Sequence, residues 1–114
     1  MSQGLEASPQ SRWTRILRGW LGTHNAEPVD MDTRLSRARF RAWHRGTREA
    51  DFMIGSYFDH HHLKWNEDEV EWFENLLEED DVDIMGWALR AQPVPEQFQG
   101  PQMLALQRLD YVKV

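Results

Sequence analysis

Apolar residues recur at intervals of three and four on both sides of a short charged break at residues 45–49. This spacing places side chains on one face of an α-helix, so it predicts a helix before the break and another after it. Glycine tolerates positive φ and commonly ends a helix, so Gly46 is expected to stop the first helix and Thr47 to be the N-cap of the second. The positions that carry the pattern are Leu35, Ala38 and Ala42 before the break, and Ala50, Met53, Ile54, Tyr57 and Phe58 after it.

Three further helices follow from the same reasoning. Asn66 with Glu69 three positions later is a capping box, and it predicts the start of a third helix. Asp80 or Asp81 is expected to cap a fourth helix, so that two capping aspartates explain the acidic stretch there. Pro101 suits the first position of a fifth helix, which should run to about residue 111.

The predicted fold class is therefore all-α, a small five-helix bundle with a flexible N-terminal extension. We place the extension at residues 1–31 and the bundle at residues 32–114. Within the bundle, the first helix should start at Asp32 or Thr33 and end at Arg45, and the second should span Arg48 to Phe58. No segment alternates apolar and polar residues over the length of a strand.

The N-terminal extension contains one amphipathic segment, residues 12–21, with Trp13 and Trp20 on one helical face and arginines outside it. A membrane-surface helix, a docking segment and a targeting remnant all fit this pattern. A tail with incidental amphipathicity fits it too, because ten residues make a marginal helix without packing.

Composition excludes several classes of function. The chain has no cysteine, which excludes disulfides, thiolate metal sites and cysteine nucleophiles. No apolar run approaches the ~20 residues of a membrane span. We therefore expect no integral membrane segment, and a location in a reducing cytosol or organelle matrix.

The charges are divided unevenly along the chain. Residues 32–48 hold six arginines and one aspartate, a net charge of +5, whereas residues 49–114 carry a net charge of −11. A basic helix on an acidic body suits a protein partner with a matching surface. Five of the arginines form a basic stripe, which consists of Arg34, Arg37, Arg41, Arg45 and Arg48. Of these, Arg37 and Arg41 are expected to neutralise acidic residues of the bundle itself. A protein- or nucleic-acid-binding module is the alternative function, although the acidic body would repel phosphate.

Two clusters invite a metal hypothesis, and neither is favoured. Consecutive side chains such as His60, His61 and His62 cannot converge on one ion from a helix, so the end of the second helix is the better interpretation. The acidic stretch at residues 78–81 lacks the spaced ligands and the glycine of a calcium loop.

The break at residues 45–49 matches the Arg-Gly-x-x-Glu signature of the succinate dehydrogenase FAD assembly factors, a family found in bacteria and mitochondria. The resemblance continues through Asp51, Phe58 and an acid–histidine pair, and then through residues 76–84, which resemble the family's Leu-Leu-Glu-x-Asp-Asp-x-Asp-[Leu/Ile] segment. It covers about residues 34–95. Two segments in order, about thirty residues apart, make it far more specific than the pentapeptide alone.

The resemblance implies a helical bundle that is an assembly factor rather than an enzyme. It would bind, as a monomer, the flavoprotein subunit of succinate dehydrogenase and, in many bacteria, that of fumarate reductase, and it would promote covalent attachment of FAD to that subunit. Because the chain has no dinucleotide-binding motif, we expect that no FAD is held stably by the factor itself. The implied partner-binding residues, displayed at the corner rather than buried, are Arg45, Gly46, Thr47, Arg48 and Glu49.

Overall fold

The computed structural model describes residues 29–112, and in this range the chain forms five α-helices and no strand. The predicted all-α, five-helix fold is confirmed. Residues 1–28, which include the amphipathic segment 12–21, and residues 113–114 lie outside the described residues. The helices are α1 (Met31–Trp43), α2 (Arg48–His61), α3 (Glu67–Leu76), α4 (Asp81–Ala88) and α5 (Pro101–Arg108), with 3₁₀ turns at His62–Lys64 and Glu96–Phe98.

The helix starts predicted at Thr47 and Asn66 are confirmed, and the start predicted at Asp32 or Thr33 is wrong. Thr47 caps α2, and Asn66 and Glu69 form the complete capping box of α3. The first helix, however, is capped by Asp30, whose carboxylate accepts from the Thr33 N–H at 2.8 Å. Asp32 instead lies in the first turn, where its charge still suits the positive end of the helix dipole.

Helix α2 continues past the predicted end at Phe58 to His61. The rings of Tyr57 and His61, and those of Phe58 and His62, lie 4.8 and 4.5 Å apart, and this four-residue spacing along the helix supports its last turn. Nδ1 of His62 also lies 3.0 Å from the carbonyl oxygen of Phe58. The expectation that the histidines end the second helix and begin its connection is confirmed.

The core is built around the buried side of α2, where Tyr57 and Phe58 lie against Phe73 of α3. Helix α1 approaches α2 closely because its contact residues Ala38 and Ala42 are small and fully buried. The Tyr57 hydroxyl donates to the carbonyl of Gln102 at 2.9 Å, which ties α2 to α5. The largest fully buried side chains are Tyr57, Tyr111, Phe58, Phe73, Phe98, Ile54, Leu76, Ile84, Leu106 and Val70.

Helix α5 starts at Pro101 as predicted but ends at Arg108, before the predicted end near residue 111. Leu109 takes a left-handed conformation with φ of +58°, which stops the helix. The chain then turns back, and the hydroxyl of buried Tyr111 donates to the carbonyl of Leu106 at 2.6 Å. None of the helices in residues 29–112 has the length and apolar character needed to cross a membrane.

Candidate functional site

The corner between α1 and α2 has the backbone that its sequence predicts. Gly46 has φ of +114°, a value that side chains with a Cβ rarely adopt. The hydroxyl of Thr47 accepts from the N–H of Ala50 at 3.1 Å, so α2 starts immediately after the glycine. Helix α1 ends at Trp43, two residues before the predicted end at Arg45, which leaves Arg45 in the connection itself.

Arg45 is not displayed at the corner, and the expectation that its side chain would be exposed is wrong. The side chain is only 10% exposed, and its Nε donates to a carboxylate oxygen of Asp81 at 2.7 Å. Its two terminal nitrogens donate to the carbonyls of Leu77 and Glu79, both at 3.0 Å. Arg45 therefore fastens the corner to the turn between α3 and α4.

Asp51 fastens the same residue from the other side. Its carboxylate, one turn into α2, accepts from the backbone N–H of Arg45 in a short hydrogen bond. The main chain of Arg45 is thus held by α2, and its side chain is held by the start of α4 and the end of α3. This double attachment fixes where the next four residues lie.

The α3–α4 turn also corrects the expected role of its aspartates. Asp80 occupies the N-cap position of α4, but its side chain makes no capping hydrogen bond. Asp81 is the first residue of the helix, and its carboxylate is used by Arg45. The predicted N-cap position at Asp80 is therefore confirmed, but the expectation that both aspartates cap the helix is wrong, because Asp81 pairs with an arginine from a distant part of the sequence.

The rest of the corner faces solvent. Gly46, Thr47, Arg48 and Glu49 are all exposed. Neither the guanidinium of Arg48 nor the carboxylate of Glu49 has a hydrogen-bond or ion-pair partner among residues 29–112. Glu49 lies in the first turn of α2, where the helix dipole favours a negative charge. The corner thus presents one cation and one anion on a backbone that is held from inside.

A groove of about 620 Å³ opens beside these residues. Trp43, His44 and Phe52 form its aromatic wall, and Arg48 and Asp51 contribute charged groups. Phe52 is 38% exposed, and Phe40, stacked on His44 with ring centroids 3.9 Å apart, is 63% exposed. Sequence reasoning did not place these aromatic side chains at the corner. The sequence signal that could have located them is their position within one or two helical turns of Gly46, on the outer sides of both helices.

Most of the basic stripe on α1 is neutralised within the bundle. Arg34 makes two hydrogen bonds to Glu74, at 3.1 and 2.8 Å. Arg41 donates to Glu78 at 2.7 Å, so the predicted neutralising role is confirmed for Arg41. Arg37 makes no ion pair with the described residues. A stripe whose charges are already paired has few cations left for phosphate, which argues against the nucleic-acid alternative.

The three histidines have separate surroundings. His60 is exposed, His61 lies against Tyr57 and Tyr111, and His62 stacks on Phe58. Within residues 29–112, no three side chains of the metal-binding types gather at one point. Burial, together with the neighbouring His60, lowers the pKa of His61 below its usual 6.5.

We expect His61 to make the fold less stable in mild acid. Because the pKa of His61 is lower in the folded state, the unfolded chain takes up this proton first as the pH falls below 6.5. The contribution of neutral His61 to the free energy of unfolding is therefore complete above pH 6.5, and it is lost as the pH falls towards the pKa of His61 in the folded state. Urea unfolding from about pH 7 to about pH 5 should show a smaller loss of stability in His61→Phe than in the wild type. Parallel pH curves for the two proteins would contradict this.

The described residues thus define a small all-α domain with one rigid, outward-facing corner. The family model described as flavinator of succinate dehydrogenase matches residues 36–110. This match covers more than half of the chain, including the corner and the α3–α4 turn. The protein belongs to this family of assembly factors, which are not catalytic enzymes.

Individual relatives agree with the family. The chain is 32% identical over 74 residues to the FAD assembly factor SdhE of Acetobacter pasteurianus, covering 65% of this chain and 68% of the relative. It is 29% identical over 77 residues to the mitochondrial succinate dehydrogenase assembly factor 2 of Saccharomyces cerevisiae, covering 65% of this chain and 48% of the relative. The succinate dehydrogenase assembly factor 2 of Dictyostelium discoideum is 28% identical over 75 residues, covering 66% of this chain and 53% of the relative. The chain thus spans about half the length of these mitochondrial relatives. No solved structure matches the chain.

Proposed function

We propose that this protein binds the flavoprotein subunit of succinate dehydrogenase and promotes the covalent attachment of FAD to it. The observation that carries the proposal is the family match over residues 36–110, which includes both segments that meet at Arg45 and Asp81. The bacterial relative is an FAD assembly factor and the mitochondrial relatives are succinate dehydrogenase assembly factors, which supports the same role.

The proposed partner-binding residues are those of the corner, with different tasks. Gly46 and Thr47 offer exposed backbone without bulky side chains, so a partner surface can approach closely. Arg48 and Glu49 offer opposite charges whose pairing with the partner would fix orientation more than it would add affinity. Arg45 contributes from inside, because its guanidinium is occupied by the α3–α4 turn.

FAD is proposed to be held by the partner rather than by this protein. A flavin dinucleotide needs several donors around its two phosphates, commonly a glycine-rich loop that leads from a strand into a helix. The described residues contain no strand, and the guanidinium of Arg45 at the corner already donates to Asp81, Leu77 and Glu79. The assembly factor would act by holding the partner in a conformation in which the flavin and its attachment residue are aligned.

Three finer points belong to the same proposal. The flavoprotein subunit of fumarate reductase is proposed as a second partner whose flavin attachment this protein promotes. The protein is proposed to act as a monomer, because the exposed corner needs no second copy to be complete. Its compartment is proposed to be the cytoplasm of a bacterium or the mitochondrial matrix, because the named relatives include a bacterial protein and mitochondrial ones.

Co-expression tests the proposed function. We expect the flavoprotein subunit of succinate dehydrogenase to carry several times more covalent flavin when this protein is present than when it is absent. In-gel fluorescence of the denatured subunit measures covalent flavin directly, since free FAD is lost on denaturation. Equal fluorescence with and without the protein would remove the proposal.

A further inference from the structure

Asp81 is 36 residues from Arg45 in sequence, yet it is joined to the corner through the side chain of that arginine. It accepts from Nε at 2.7 Å and is 24% exposed, whereas the arginine is 10% exposed. Each of the two terminal nitrogens of the guanidinium also donates to a carbonyl of the same turn, at Leu77 and Glu79. A charge-assisted pair in which the arginine is largely desolvated has a fixed geometry, unlike an ion pair in water.

The fixed geometry of the Arg45–Asp81 pair determines where the exposed residues of the corner lie. Gly46 has no Cβ and lies at a φ of +114° with no atom within 4 Å of a built Cβ, so its own packing does not hold the backbone there. Nothing among residues 29–112 holds the side chains of Arg48 and Glu49. Arg45, directly before the glycine, is therefore the anchor on which the exposed residues depend.

We propose that Asp81, with Asp51, is a positioning residue for partner binding: the two carboxylates clamp Arg45 by side chain and main chain and so hold Gly46–Glu49 in the orientation that the partner recognises. The inference rests on the proposed function, and it assigns a role in recognition to two residues that need not touch the partner. It also gives a physical reason why the two segments that carry the family resemblance belong together. One segment displays the contact residues, and the other anchors them.

Asp81→Ala tests the clamp, and Glu74→Ala is its matched control. Both substitutions remove a carboxylate that pairs with an arginine from the α1 region, and the Arg34–Glu74 pair at 2.8 Å lies at the opposite end of α1 from the corner. Affinity for the purified flavoprotein subunit is measured by calorimetry at a temperature at which far-UV circular dichroism shows every variant to be folded. We expect Asp81→Ala to weaken binding by about tenfold or more and Glu74→Ala to change it by less than about twofold.

A double-mutant cycle separates anchoring from direct contact. If Asp81 acts through Arg45, Asp81→Ala should cost little further affinity in a protein that already carries Arg45→Met. An equal loss in both backgrounds would mean that Asp81 meets the partner itself, and it would overturn the clamp. Asp81→Asn keeps an oxygen acceptor for Nε, so it should retain more affinity than Asp81→Ala.

Amide hydrogen exchange provides a readout without the partner. The N–H of Arg45 is bonded to Asp51, and we expect it to exchange about tenfold faster in Asp81→Ala while the amide of Ile54 in the α2 core is unchanged. Unchanged exchange at Arg45 would overturn the clamp. If wild-type protein fails to bind the flavoprotein subunit, the proposed function fails. If wild type binds and Asp81→Ala binds equally well, only the clamp fails.

Discussion

Replacement of Arg45 by methionine is expected to lower the free energy of unfolding by about 3 kcal/mol and the melting temperature by roughly 15 °C. Methionine keeps much of the aliphatic packing but removes the guanidinium. The carboxylate of Asp81 then loses its cation, and the carbonyls of Leu77 and Glu79 lose a donor. Leaving one member of a buried pair alone costs more than the pair contributes, because its desolvation is no longer compensated.

Urea unfolding followed by tryptophan fluorescence measures this loss. Arg37→Met is the matched control, since Arg37 is an exposed arginine of α1 that pairs with no described residue. Its effect should stay within about 0.5 kcal/mol, as for most surface substitutions. Similar losses for the two variants would show that the corner arginine is no more than a surface charge.

Replacement of Gly55 by alanine is expected to lower the free energy of unfolding by about 2 kcal/mol, even though alanine favours a helix. A Cβ at Gly55 would lie 2.2 and 2.3 Å from two atoms of the Trp43 indole ring. Because such distances are not tolerated, the indole must leave its place on α2. It would then lose the hydrogen bond from its Nε1 to Asp59, now 3.2 Å, and its edge contact with Phe52.

Gly86→Ala is the control for Gly55→Ala. Gly86 also lies inside a helix, but a Cβ there would meet the side chain of Gln92, which can rotate away. Helix propensity should then dominate, so this variant is expected to be neutral or more stable by up to about 1 kcal/mol. Thermal unfolding compares the stabilities of the two variants. If Gly86→Ala is destabilised while Gly55→Ala is not, the packing of Trp43 against Gly55 is contradicted.

The features that sequence predicted correctly depend on near neighbours. The positive φ of Gly46, the cap at Thr47 and the capping box at Asn66 each involve residues within four positions. Their energies are therefore decided locally, and pattern reasoning finds them. Helix ends were less accurate, as at Asp30 and His61, because an alternative cap or a stacked ring pair shifts them by two or three residues.

The features that sequence missed depend on distant contacts. Arg45 looks like any charged residue in a turn until the fold brings the carbonyl of Leu77, 32 residues away, to its guanidinium. The local sequence around Asp81 predicts a helix cap, whereas its actual partner, Arg45, lies 36 residues away in the sequence. The packing of Trp43 over Gly55 likewise has no local signal, since the sequence around a glycine in a helix does not indicate which side chain packs against it.

The most direct test of the account is the affinity of the succinate dehydrogenase flavoprotein subunit for Glu49→Ala and Glu67→Ala. Both glutamates are exposed in the first turn of a helix, so the two variants lose the same charge in the same local setting. We expect Glu49→Ala to bind about tenfold or more weakly with an unchanged melting temperature, and Glu67→Ala to bind like the wild type. Equal binding by wild type and Glu49→Ala, or an equal loss in both variants, would contradict the assignment of the corner as the partner-binding surface.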